Sequence, residues 1–272
     1  MINRIFNTAC DGLMAPFLSL NSWIGLSVFS FVITVVALLA FRFCSSQQAI
    51  ARARSKVLSR LLELRLYKDN VFGIFSTLGR VLTGILVYMR AYLLPVAILI
   101  VPVSLVLIQM SCWFDGRPYR PGETGLISVT LRPDSDVMET PISVSAAEGL
   151  QIEADPLRIP DENTIIWRFS APNAVDGWID IKTRDEVFRK TVVVGDGFKK
   201  LSAFRISGGG MAALLNPAEP PIRNECPVWE IAVDYPARDL FLGSLNVNWL
   251  VACFGLTILF AGALKLVFRV EL

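Results

Sequence analysis

The chain has 272 residues, 53% of them hydrophobic and only 18% charged, with a mean hydropathy of +0.52 and a formal net charge of +2. Soluble domains carry about 25% charged residues, so the average leans toward lipid. The absence of histidine excludes imidazole metal sites, His-ligated haem or pigment, and Ser-His-Asp or Cys-His catalysis.

Residues 1–22 are apolar but interrupted by Asp11, Gly12 and Pro16, and Phe6, Leu13, Met14 and Phe17 predict a short helix at an outer membrane interface. Charge-free runs occupy Gly12–Phe41, Ala91–Phe114 and Leu240–Leu264. Each exceeds the roughly 20 apolar residues that span a bilayer. Transmembrane helices are therefore expected over 23–43, 91–112 and 245–268. The first is too long, and too poor in early cations and cleavage signals, for a signal peptide.

A basic amphipathic helix is expected within 44–90, in QQAIARARSKVLSRLLELRLYKD, with Ile50, Val57 and Leu64 at a seven-residue interval. Residues 71–89 read as an interfacial or re-entrant helix leading into the second span. Pro95 and Pro102 predict a bend there.

From Trp113 short β-like runs alternate with turn residues. Strands are expected near Leu126–Leu131, Pro141–Ser145, Thr164–Phe169, Trp178–Lys182, Val187–Val194, Leu201–Ile206 and Val228–Val233. The stretch from Gly208 to Pro227 reads as a long loop. The fold class expected is thus membrane α plus β: three transmembrane helices, a cytoplasmic amphipathic helix and an extracytoplasmic immunoglobulin-like β-sandwich over 113–244.

Charge supplies the orientation. Arg42 to Arg90 holds nine Lys/Arg against two acids, whereas Asp115 to Asp239 holds fourteen against twenty. The positive-inside rule puts the first stretch in the cytoplasm and the second across the membrane. The N-terminus then lies outside, and the tail over 269–272 is cytoplasmic. With no evident targeting segment, a bacterial inner membrane is expected. The net charge itself argues neither for nor against a polyanion, and no nucleic-acid partner is expected.

Neither a GxxxxGK[ST] nor a strand-borne GxGxxG motif is present, the outer acids have no calcium-loop spacing, and no catalytic set emerges. No enzyme activity, cofactor or metal is expected. Arg42 and Arg90 flank apolar runs, and two readings stay open: snorkelling to headgroups, or lining a cationic groove open to the cytoplasm. The basic helix (Arg52, Arg54, Lys56, Arg60, Lys68) either binds anionic headgroups or docks a protein partner. Cys112 and Cys226 both fall on the outer side, where an oxidising compartment would permit a bridge.

The order of parts, with QQAIARARSKVLSRLLELRLYKD, AYLLPVAILIVPVSLVLIQM and the following WFDGRP, resembles the YidC-type membrane-protein insertase superfamily over residues 23–115 and 245–268. The resemblance implies a three-helix groove whose cation, Arg90 or Arg42, receives a hydrophilic stretch of a passing polypeptide. The β domain between spans two and three and the short cytoplasmic segment depart from that pattern. The expected role is a non-catalytic accessory, insertase-like or scaffold subunit of a larger membrane complex, with other membrane subunits and the lipid bilayer as partners. The alternative is a stand-alone insertase or chaperone.

Overall fold

The computed structural model describes residues 8, 10–12, 14–17, 21–44, 55, 59, 71–184 and 186–268. The chain divides into two compact units: Met1–Gly25 with Leu107–Trp249, and Leu26–Val106 with Leu250–Leu272.

The second unit is built from helices. Helix α1 covers Ser22–Cys44, α2 covers Val71–Phe114, and the last helix covers Trp249–Phe268. Windows over Ser22–Ala40 and Val96–Phe114 are long and apolar enough to cross a membrane, and a shorter apolar stretch covers Trp249–Leu264. Within the unit, α1 meets the last helix along a seam of small polar side chains. Ser30 Oγ donates to Leu26 O at 2.8 Å and lies 3.5 Å from Cys253 Sγ. Thr34 Oγ1 bonds Ser30 O at 2.7 Å and Thr257 O at 3.5 Å. Returning hydroxyls to the helix's own carbonyls leaves a narrow surface on which two apolar helices pack closely. Phe31 and Phe260 extend the seam edge to face at 5.5 Å.

Helix α2 differs from the expected pair of elements. Its 44 residues run unbroken through 71–90 and through Pro95 and Pro102. Each proline removes one backbone hydrogen bond, to Ala91 O and to Ile98 O, without ending the helix.

The first unit is a β structure. Its strands are β1 Thr124–Leu131, β2 Ser143–Ala146, β3 Gln151–Ile152, β4 Leu157–Ile159, β5 Thr164–Ser170, β6 Val175–Lys182, β7 Val187–Val194 and β8 Phe204–Ile206. After the short helix α3 (Gly210–Leu215) come β9 Val228–Val233, β10 Phe241–Leu242 and β11 Leu245–Asn246; the helix at Trp249–Phe268 is α4.

One antiparallel sheet runs β3-β5-β1-β9-β8, with β4 also on β5; a second runs β2-β6-β7; β10 and β11 form a separate pair. Alternation explains the layering. On β1, Ile127, Val129 and Leu131 are buried while Thr124 and Leu126 are exposed. Inward residues of both sheets, including Ile165, Trp167, Ile179, Ile181, Val192 and Ile231, form one core cluster.

Gly125 sits where β1 passes under Phe169 and Tyr119. A Cβ there would lie 2.6 Å from Tyr119 Cζ and closer still to Phe169, so only glycine fits.

Aromatic residues close the base of this unit. Phe114 packs on Phe198 at 5.1 Å and on Trp249 at 6.3 Å, and Trp249 Nε1 donates to Asp115 Oδ1 at 3.2 Å. Trp23 Nε1 donates to Phe241 O at 3.0 Å.

The N-terminal segment is helical at residues 8, 10–12 and 14, followed by a 3-10 turn over Ala15–Phe17. Met14 is fully buried beside Gly25 and Phe114, and Asp11 pairs with Lys200 at 2.7 Å. The segment is thus tied to protein by a side chain expected to face lipid.

Candidate functional site

β7 is the edge of the three-stranded sheet, and an edge strand presents unpaired backbone groups. Its alternation puts Phe188, Lys190, Val192 and Val194 inward. Lys190 is therefore a cation at a core position, with no exposure at all. Its Nζ donates to Glu219 Oε2 at 2.7 Å and to Ser202 Oγ at 2.8 Å. Glu219 Oε1 accepts from the Thr191 N–H at 2.8 Å and from the Thr191 hydroxyl.

The rest of the edge is closed the same way. Arg205 Nη1 donates to Arg189 O at 2.6 Å, and the Val193 N–H donates to Tyr235 Oη at 3.1 Å. Side chains from β8, the segment after β9 and the loop after α3, with the Tyr119 backbone bridging Val194, thus take the place of a neighbouring strand.

Electrostatics fit this geometry. Burial pushes the Glu219 carboxyl up, but the Lys190 charge and the donors of Lys190 and Thr191 outweigh it and hold it below the usual range. Burial also lowers the Lys190 ammonium, against the pull of Glu219. Lys190 Nζ holds Glu219 and Ser202 together at this edge.

Ser202 also lines a cleft of about 470 Å³. The cleft floor is the outer face of the larger sheet, where the registers align Ile166, Ser128, Ala232 and Phe204 in one row across four strands; Leu157 on β4 continues the row beyond the cleft. Leu157, Phe204 and neighbouring Leu126 are exposed. Ser111, Cys112 and Asn216 supply polar edges. The arrangement offers an apolar floor with hydrogen-bonding rims, which suits holding a side chain or peptide segment.

The residues singled out from sequence lie elsewhere. Arg42 is exposed in the last turn of α1. Arg90 lies within α2, and its side chain is outside the described residues, as are Arg52, Arg54, Lys56, Arg60 and Lys68. Cys112 and Cys226 are both free thiols: the bridge entertained between them is not formed. Cys112 Sγ faces Ile108 O in α2, while Cys226 belongs to the β core and its carbonyl accepts from Arg132 Nε at 2.9 Å.

Sequence reasoning missed Lys190, Glu219 and Ser202. The signal was present in EVFRKTVVV, whose alternation puts a lysine among inward apolar residues. Compared with protein-family models, curated proteins and solved structures, the chain matches none.

Proposed function

We propose that this chain is a three-span membrane protein that serves as a non-catalytic accessory or scaffold subunit of a larger, insertase-like membrane complex. The N-terminus and an immunoglobulin-like β-sandwich lie outside a bacterial inner membrane, and residues 44–90 and the C-terminus lie in the cytoplasm. The charge imbalance between 42–90 and 115–239 supports that orientation. The apolar character of α1, α2 and α4 supports three spans.

One observation carries the subunit reading. Helix α2 is 44 residues long. At 1.5 Å per residue it measures about 66 Å, against roughly 30 Å of hydrocarbon. The apolar window at Val96–Phe114 fills the hydrocarbon by itself. The helix N-terminal to residue 91 bears Leu82, Ile85, Leu86 and Met89, all exposed and spaced to form one stripe. An apolar stripe beyond the bilayer core calls for another protein surface.

The test is purification of the tagged full chain in mild detergent, with mass spectrometry of what accompanies it. A fixed set of companions at constant ratio is expected, lost from the Leu82→Arg/Leu86→Arg variant. A solitary wild-type chain, or companions indifferent to the stripe, refutes the reading.

A further inference from the structure

A pocket of about 340 Å³ in the β unit is lined by Asn21, Ser22, Arg117, Arg120, Arg238 and Asp196, among other residues. Three cations therefore face one space with a single lining acid, and their states differ. Arg117 is spent on a bidentate pair with Glu123, at 2.7 and 2.8 Å. Arg120 is exposed.

Arg238 is the unusual member. Its Nε donates to Gly116 O at 3.0 Å and its guanidinium lies over the Phe198 ring at 5.0 Å. Its Nη2 is buried with no hydrogen-bond partner among the described residues. Burial, with the Arg117 charge beside it, lowers this guanidinium to about 10, the behaviour of a cation lacking a counter-ion. Ser22 adds the first turn of α1, the end of a helix that carries partial positive charge. Asn21 caps that turn, its Oδ1 accepting from the Trp23 N–H at 3.1 Å and its carbonyl from the Ile24 N–H at 2.9 Å.

We propose that this pocket binds a phosphate-bearing anion, with Arg120 and Arg238 as its charged ligands and Arg117 as a positioning residue. Arginine suits the task because its planar donor fork matches phosphate oxygens. The volume exceeds what a bare phosphate needs, leaving room for the group that the phosphate is esterified to. Asp196 opposes the anion. It is fixed at the rim by Gly195 and Gly197, whose φ values of 140° and 104° suit glycine. The pocket opens at the first residue of α1, which favours a lipid headgroup over free phosphate. That choice of source rests on the membrane-spanning reading of α1, while the phosphate site itself does not.

The test uses the full chain in a neutral detergent, with thermal unfolding of the β unit as readout. The probes are inorganic phosphate, a short-chain phosphatidylglycerol, a diacylglycerol of matching chains, and chloride at equal ionic strength. Phosphatidylglycerol is expected to raise the midpoint in a saturable way, with diacylglycerol and chloride inactive. Arg120→Gln, at an exposed position, is expected to weaken binding about 10-fold. Asp196→Asn is expected to tighten it several-fold, an effect that a merely structural residue would not produce. Saturation by inorganic phosphate, with the lipid adding nothing, supports the site and assigns it to free phosphate. No shift with either phosphate probe overturns the proposal, and so does wild-type binding in both variants.

Discussion

Removing the Glu219 carboxylate probes the β7 edge most directly. In Glu219→Ala, the Lys190 ammonium stays at a core position with Ser202 Oγ as its remaining partner among the described residues, and the Thr191 N–H loses its acceptor. Breaking one side of a buried ion pair costs about 3–5 kcal/mol, because the remaining charge is uncompensated. For a unit of this size that corresponds to a midpoint lower by about 10–15 °C. The assay is thermal unfolding of the full chain in detergent, followed by the β-sheet circular dichroism signal. The control is Lys190→Met/Glu219→Gln, which removes the charge, keeps an acceptor for Thr191 and fills the space with apolar atoms. It should recover most of the loss, since an apolar replacement of a buried pair is often neutral. An equal loss in the single and double variants refutes the electrostatic reasoning, and so does a Glu219→Ala cost below about 1 kcal/mol.

Gly125→Ala forces a Cβ against Phe169 and Tyr119 and should cost about 1–3 kcal/mol in the same melt. Glu123 is held at about 2 by the hydrogen bonds of Arg117 and then of the Arg120 backbone, against an ordinary value of 4.5. Its folded value is depressed, so its contribution is complete above about pH 4.5 and fades as pH falls toward 2. Glu123→Gln should therefore flatten that part of an acid titration of stability; an unchanged acid limb counts against it. Ser30→Leu puts a bulky side chain into the seam with Cys253, and should weaken detergent-resistant packing of α1 on α4, read by cross-linking of cysteines introduced along the two helices.

How much of this was legible beforehand depends on what held each element. Val187–Val194 and Val228–Val233 form strands at the expected residues; the first alternates strictly, whereas the second breaks its alternation at a bulge opposite Thr130 and Leu131. Gln151–Ile152 and Leu157–Ile159 were invisible: two or three residues carry no period, and both exist by pairing with β5. Helix α3 lay inside a stretch rich in Gly and Pro, where Met211 to Leu215 is short enough to hide. Leu245 was expected in a span but pairs with Leu242 across the Gly243 turn, so α4 begins at Trp249. Of the site, the inward lysine was readable from its strand. Its carboxylate was not, because Glu219 lies 29 residues further along the chain.

That separation has a consequence in time. β7 leaves the ribosome with an upstream backbone partner, Tyr119, only at Val193–Gly195 and with a charge aimed at the nascent core, and its stitches from Arg205, Glu219 and Tyr235 follow afterwards. At about 5–20 residues per second, Glu219 trails Lys190 by roughly 1.5–6 s. During that interval the unpaired lysine works as a guard, since a strand edge that would have to bury a lone ammonium is a poor template for a second copy. Arrival of the carboxylate cancels the charge and covers the edge at Thr191 together, so protection there passes from repulsion to occupancy without an apolar interval between them.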